Sequence, residues 1–319
     1  VMDGITALPE ILKADPKTKV LICSTLSDKN ADVSLKALSL GASECILKPS
    51  TSRDISEQQN FRRSLVNLAR TLTGHRPRDF DQEEKKAPQK SKQLLQRAKP
   101  EEIVKTPLPS EKEVQLRKLA PKASAGFRAI AIGSSTGGPQ ALFTVLRKCR
   151  NVDVPIFVTQ HMPPTFTKIL AQHIHHNTGI TSHEAQDGMI AKKGEVYVAA
   201  GGYHMIVKKN EDGEISLKLD DGPPENFCKP SVEPMLRSLI SIYGHRLLGV
   251  ILTGMGQDGL KASRELAETG APLIAQDKKT SVVWGMPGSV ANAGICTDVL
   301  DVGKIGEKIA DYMQCKVSV

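Results

Sequence analysis

Long apolar runs are missing from this chain. No stretch of about 18 apolar residues occurs among its 319, which excludes a transmembrane helix and direct membrane insertion through one. The opening residues, VMDGITALPE, lack both the basic start and the apolar centre of a signal peptide. Cysteine is sparse and unpatterned: Cys23, Cys45, Cys149, Cys228, Cys296 and Cys315 form no CxxC pair. A disulfide scaffold or a zinc ribbon needs closer spacing, so reduced thiols in a cytoplasmic protein are expected. Aromatic residues make up only 4% of the chain, with one Trp, and hydrophobic residues 39%, so part of it is not expected to be core. At roughly 100–200 residues per domain, the length suggests two domains, or one domain and a linker.

What the chain does have is an excess of basic charge, unevenly placed. The formal net charge is +8 and the isoelectric point about 9.1. Residues 1–50 carry six basic and six acidic side chains, residues 51–126 carry 17 and 10, and residues 127–319 carry 20 and 19. The excess therefore belongs to the middle of the chain. Few aromatics interleave with it, so a solvated spacer is expected there and no nucleic-acid partner. Within that middle segment, Ile55, Phe61, Leu65, Leu68 and Leu72 fall at helical spacing and predict an amphipathic helix over 54–72. From Thr73 to Gly126 Lys, Glu, Gln and Pro dominate, as in HRPRDFDQEEKKAPQKSKQ, and a basic flexible linker is expected.

Residues 1–50 alternate between helix and strand: a helix over 5–12, a strand over 20–23, a helix over 31–40 closed by Gly41, and a strand over 45–47. Alternation of this kind gives a parallel α/β sheet, but so few strands suggest a domain cut at its N-terminal side. Residues 127–319 alternate at greater length. Buried strands are expected at 128–132, 154–160, 247–252 and 273–275, and helices at 140–149, 167–176, 232–242, 260–269 and 304–313. The runs 203–208 and 215–219 flank Asn210-Glu211-Asp212-Gly213, a hairpin signal. The fold class is α/β: a doubly wound, mostly parallel sheet with an antiparallel excursion, beside an incomplete flavodoxin-like unit. The expected domains are 1–72, a 73–126 linker, and 127–319.

Three turns follow buried strands directly, and ligand crevices of open α/β sheets lie at the carboxyl ends of strands. The first, Gly133-Ser134-Ser135-Thr136-Gly137-Gly138, matches G-x-S-x-G in a strand–turn–helix setting. Its glycines permit a sharp turn that exposes the Ser135 hydroxyl, and the helix start offers N–H groups to an oxyanion. The same N–H groups suit a bound phosphate or other anion, and a purely structural turn is the third reading; the pattern alone leaves all three open. The second turn places His161 before Pro163-Pro164, positioned to act as a general base or to serve as an ordinary hydrogen-bonded His. The third, Thr253-Gly254-Met255-Gly256-Gln257-Asp258-Gly259, offers Asp258 either as the cap of the next helix or as the carboxylate that orients His161. One Ser, one His and one Asp at successive strand ends favour a serine hydrolase, with a non-enzymatic anion- or nucleotide-binding module as the alternative. The order Ser, His, Asp differs from the Ser, Asp, His of α/β-hydrolases. His173, His175 and His176 are expected on a surface helix without acidic or cysteine partners, so no metal site is expected there, and His204 is expected to be structural.

The segments AIGSSTGGPQAL, TQHMPPTFT, LDDGPPENFCKPSVEPM, GVILTGMGQDG and VVWGMPGSV, in that order, resemble the protein-glutamate methylesterase of bacterial chemotaxis, the CheB family. The resemblance implies hydrolysis of glutamate methyl esters, and deamidation of glutamines, on the cytoplasmic domains of chemoreceptors. It implies Ser135 as nucleophile, His161 as base, Asp258 as its orienting carboxylate, Thr136 as part of the nucleophile turn and the Met255 N–H as an oxyanion donor. No metal or other cofactor is implied for hydrolysis. One departure is Lys229 before Pro230-Ser231-Val232, where the family often has arginine. MDGI, VLICST and LKPS resemble the second half of a response-regulator receiver, with Ser24 as the switch hydroxyl and Lys48 as the phosphate-contacting lysine. The phosphoacceptor aspartate and the acidic pair that binds Mg2+ are absent from this chain, which is therefore expected to be a fragment of a longer protein. An intact receiver would take its phosphate from the histidine kinase of the chemotaxis pathway. How the two units dock is left open by the sequence.

Overall fold

The computed structural model describes residues 2–25, 27–49, 55–74, 114–118 and 126–314. The chain opens with α1 (Gly4–Ala14), whose N-cap Asp3 accepts the Thr6 N–H at 2.8 Å. Strands β1 (Leu21–Ser24) and β2 (Glu44–Leu47) then pair in parallel, with Ser24 opposite Leu47. Between them runs α2 (Asp28–Ser39), and α3 (Ile55–Leu72) follows. Ser24 and Lys48 thus lie at the same carboxyl end of the small sheet, where the Lys48 N–H donates to the Ser24 carbonyl at 2.7 Å. Ala31, Ser34, Leu35 and Leu38 occupy one face of α2 by helical spacing, and all four are buried.

The larger unit is built around seven parallel strands: β3 (Ala129–Ser134), β4 (Ile156–Gln160), β5 (Ser182–Glu184), β6 (Val196–Val198), β9 (Leu247–Ile251), β10 (Leu273–Gln276) and β11 (Asp298–Leu300). Their order across the sheet is β11-β10-β9-β3-β4-β6-β5. Every residue of β3, β4, β9 and β10 is buried, because helices cover both faces. Alternation along β3 shows this directly. Ile130 and Ile132 join the core shared with α4 (Gly138–Leu146), α5 (Phe166–Thr178) and α9 (Val302–Met313), whereas Ala129 and Ala131 face α6 (Val232–Tyr243), α7 (Leu260–Glu268) and α8 (Met286–Asn292). Each wholly buried Leu or Ile in these layers contributes roughly 1.5–3 kcal/mol. The antiparallel excursion is a separate two-stranded ribbon, β7 (His204–Lys209) with β8 (Ile215–Asp220).

Several elements escape sequence patterning. β5, β6 and β11 are three residues each, too short to display a period, and α8 is only MPGSVAN, with Pro in its first turn. The buried face of α2 packs on α4 and α5 rather than on its own strands alone, and its apolar residues join the same core as Leu142, Leu146 and Leu170. Gln140 of α4 secures this docking by donating to the carbonyls of Leu38 and Ala42 at 2.6 and 2.5 Å. Most of the expected linker, residues 75–113 and 119–125, lies outside the described residues. The short piece 114–118 lies against the larger unit, where the Arg117 N–H donates to the Cys296 carbonyl at 2.8 Å and its guanidinium to the Ala271 carbonyl.

Candidate functional site

Strand order fixes where a crevice opens. From β3 the chain passes to its neighbour β4, then to the edge strand β5 and back inward to β6, and crosses to the other side of β3 through β9, β10 and β11. The reversal falls at β3 and β9, with β4 alongside, and ligands of open α/β sheets bind beyond the carboxyl ends at such a point. Ser135 follows β3, His161 follows β4, and Thr253–Asp258 follows β9.

Ser135 and His161 are brought together by register. Ser134 pairs with Gln160, so the next residues leave adjacent parallel strands about 4.8 Å apart. The His161 N–H donates to the Ser134 carbonyl at 3.1 Å, and the Gln160 amide donates to the Ser135 carbonyl at 2.9 Å while accepting the Ser134 hydroxyl at 2.7 Å. The Ser135 N–H is held by the Thr253 carbonyl at 3.0 Å. Only glycine fits at 254: a Cβ there would stand 2.8 Å from Ser135 Cβ and 2.4 Å from the Met286 sulfur. Gly137 takes a left-handed conformation, φ 76°, as the turn enters α4.

His161 and Asp258 are joined directly, Nε2 to Oδ2 at 2.8 Å. Asp258 is buried and accepts three further hydrogen bonds, from Asn226 Nδ2, Ser231 Oγ and the Val232 N–H, each at 2.7 Å. Burial opposes its charge, but these donors and His161 hold its carboxyl below the ordinary range. For His161 burial likewise disfavours the charged form, but Asp258 and the Cys228 thiol outweigh it and push the imidazole up to about 9. Its second nitrogen, Nδ1, faces Cys228 Sγ at 3.4 Å. Ser135 Oγ makes no hydrogen bond to His161 or to any other described residue, so the structure unites two of the three candidate side chains and leaves the third beside them. No described acceptor takes the Met255 N–H, which leaves that donor free at the crevice.

Two expectations are corrected here. Asp258 does not cap the helix that follows it. It accepts the N–H of Val232 at the start of α6, while Glu233 of α6 accepts the Lys261 and Ala262 N–H groups at the start of α7, so the two helix starts are capped crosswise. His173 does have an acidic partner, Asp32 of α2, at 2.7 Å; a residue distant in sequence supplies it. Among the described residues no group of three or more His, Cys, Asp or Glu side chains is placed to hold a metal ion, and no step below runs through Mg2+.

Sequence reasoning missed the supports. His204 is buried, accepts the Ser231 N–H on Nδ1 at 3.1 Å and donates from Nε2 to the Pro223 carbonyl at 3.0 Å, thereby orienting the serine that holds Asp258. Asn226 and Phe227 adopt positive φ, 51° and 63°, and Phe227 is fully exposed at the rim of a cavity of 540 Å³ lined also by Cys228, Met255, Asp258 and Trp284. From the N-terminal unit, Glu44, whose side chain accepts the Cys45 N–H at 3.0 Å, lies beside the nucleophile turn; burial pushes its carboxyl up to about 7, opposed by Cys45, Thr136 and Gly137.

A parallel α/β sheet with a serine, and a hydrogen-bonded His–Asp pair, at adjoining strand ends defines a hydrolase-type site. Comparison with known proteins makes the class specific. A family model described as CheB methylesterase matches residues 130–309. The chain is 47% identical over 309 residues, 96% of its length and 78% of the relative's, to a protein-glutamate methylesterase/protein-glutamine glutaminase of Rhodospirillum rubrum. A protein of the same description from Paramagnetospirillum magneticum is 46% identical, again over 96% of this chain and 79% of the relative. The solved catalytic domain of the Thermotoga maritima CheB methylesterase superposes with a TM-score of 0.56 at 40% identity, covering 59% of this chain and 99% of that domain. The chain belongs to the CheB methylesterase family.

Proposed function

We propose that this chain is a cytoplasmic protein-glutamate methylesterase and protein-glutamine glutaminase acting on chemoreceptor cytoplasmic domains in chemotaxis adaptation, with Ser135, His161 and Asp258 as its triad. The observation that carries the assignment of roles is the 2.8 Å bond from His161 to buried Asp258, one strand spacing from Ser135. Ionised Asp258 can only accept, so His161 carries its proton on Nε2 and presents Nδ1 as the basic nitrogen. When the ester enters, Ser135 Oγ attacks the glutamyl carbonyl carbon and its proton passes to Nδ1. The Met255 N–H, which no described acceptor takes, is the donor for the oxygen that gains charge. The proton then leaves with methanol, and water, activated by the same nitrogen, releases the acyl group as glutamate. A glutamine side chain follows the same steps with ammonia leaving. Neither route calls on a cofactor from the protein.

The N-terminal unit fits the role of a regulator. Its α2 packs on α4, the helix that begins at the nucleophile turn, and Glu44 lies beside Thr136 and Gly137 of that turn. Receiver phosphorylation by the pathway's histidine kinase would act through this contact. The nearness of Glu44 favours a second reading, an anion-binding turn without hydrolysis, since a carboxylate already lies beside the turn. A serine-directed fluorophosphonate separates the two. Labelling of Ser135 together with methanol release from methylated receptor supports the esterase, and absence of both supports the anion site.

A further inference from the structure

Cys228 lies on the His161 nitrogen that the esterase reaction needs. Its sulfur is 3.4 Å from Nδ1, and Nε2 is committed to Asp258. Neutral His161 therefore has one lone pair, and the thiol, not Ser135, points at it. Cys228 also lines the 540 Å³ cavity beside the strand ends and is only partly buried, which gives a small solute a route towards it. The other described cysteines lack this combination. Cys149 and Cys296 are buried, and burial pushes each thiol up to about 12, while no hydrogen bond joins Cys23 or Cys45 to a histidine. Cys228, His161 and Asp258 thus form a second Cys–His–Asp array that shares its base and carboxylate with the proposed triad.

We propose that Cys228 is a peroxide-reactive thiol whose oxidation switches off ester hydrolysis by occupying His161. His161 Nδ1 takes the thiol proton, and the sulfur attacks one oxygen of a hydroperoxide. A sulfur–oxygen bond forms and the oxygen–oxygen bond breaks; the departing hydroxide or alkoxide takes the proton back from His161 and leaves as water or alcohol. Sulfur is oxidised by two electrons to sulfenic acid, and the peroxide is reduced. The sulfenic hydroxyl then fills the space at Nδ1, so Ser135 loses its proton acceptor. A dithiol reductant removes the oxygen and restores the site. The loss of hydrolysis rests on the triad proposed above, whereas the reactivity of Cys228 requires only His161 and Asp258.

The test uses the full chain and hydrogen peroxide, with two readouts: trapping of sulfenic acid by dimedone, located by mass spectrometry, and methanol release from methylated receptor. Cys228 is expected to be trapped roughly tenfold faster than Cys23, and His161→Ala is expected to remove that advantage. Methanol release should fall in proportion to Cys228 oxidation and return with dithiothreitol, while whatever activity Cys228→Ser or Cys228→Ala retains should resist peroxide. Trapping of Cys228 no faster than Cys23, trapping unaffected by His161→Ala, full hydrolysis by oxidised protein, or peroxide sensitivity of both Cys228 variants equal to that of the parent chain would each overturn the proposal. Failure of the triad reads differently: hydrolysis by Ser135→Ala, with trapping still dependent on His161, removes the nucleophile assignment and leaves the thiol site standing.

Discussion

Asp258 accepts four hydrogen bonds and is buried, whereas Ser135 Oγ, one strand away, has no partner among the described residues. The carboxylate is fixed by groups from three places: the 226–232 segment, β4's end through His161, and, through Ser231, the ribbon residue His204. The serine is fixed only in its backbone, by Thr253, Gln160 and the glycine at 254. Cost explains the difference. A buried carboxylate without donors loses several kcal/mol of solvation and must be satisfied before substrate arrives, while a half-buried hydroxyl can turn to water. On the proposed triad, the base is therefore ready-made while the Ser135 hydroxyl is still to be aligned.

The comparison breaks most sharply at the serine and the histidine. Ser135→Ala and His161→Ala should each lower ester hydrolysis by about 10⁴ or more with melting temperature little changed, because triad members act as a unit. Methanol release by Ser135→Ala near that of the parent chain would refute the nucleophile. Asp258→Asn is expected to cost about 10³ and, unlike the serine change, to lower stability by roughly 1–3 kcal/mol. An amide nitrogen there would face Val232 N–H and His161 Nε2–H, or Asn226 and Ser231, donor against donor. Thermal unfolding of the two variants side by side tests the contrast; equal stability would mean that the four bonds around Asp258 matter less than their geometry indicates.

pH sharpens it further. His161 acts as a base only when neutral, and its pKa stands at about 9. kcat/KM should therefore climb roughly tenfold per unit from pH 7 towards that value rather than level off near the usual histidine pKa of about 6.5. The stability sign is opposite. A histidine raised on folding stabilises the folded chain fully below about 6.5, and that contribution is lost as pH rises through about 9. Asp258, depressed on folding, stabilises above its ordinary range and loses that contribution as pH falls through its folded value. A pH–rate profile with a midpoint near 6.5 would show that Asp258 and Cys228 do not hold the proton on His161.

How much of this was legible in the sequence follows from range. Ser135 and His161 sit immediately after strands, and Asp258 in the turn that follows one; the unbroken apolar runs of these strands are unmistakable, and the rule that sites form at carboxyl ends selects all three. The alternation of buried strands and helices gives the α/β class for the same reason. The supports of Asp258 are not legible, because Asn226, Ser231 and His204 belong to an irregular segment and a ribbon that reach the site only through tertiary folding. His173 was misjudged in the same way, since Asp32 is 141 residues away. Short strands such as Val196–Val198 carry too few residues to show a period. The docking of α2 also lies beyond patterning: one buried stripe on a helix does not say which neighbour covers it.

The smallest expected effect concerns that docking. Glu44 lies where β2 meets the nucleophile turn, burial raises its carboxyl to about 7, and the Thr136 hydroxyl and the Gly137 N–H partly oppose that rise. A carboxylate raised on docking favours the docked state at low pH and loses that contribution as pH rises from its ordinary value of 4.5 through about 7. Glu44→Gln imitates the protonated form and should hold the N-terminal unit in place at pH 8. Glu44→Ala removes the carboxylate that lies beside the turn carrying Ser135. Basal methanol release at pH 8 should then be higher in Glu44→Ala than in Glu44→Gln by roughly 2- to 10-fold, the worth of about one hydrogen bond at ~0.5–1.5 kcal/mol. Gln140→Ala, which loses both carbonyl contacts to α2, should raise activity in the same direction. Equal rates in the two Glu44 variants would mean that this contact is a packing detail and that restraint of the serine, if the N-terminal unit exerts any, comes from the apolar face of α2 alone.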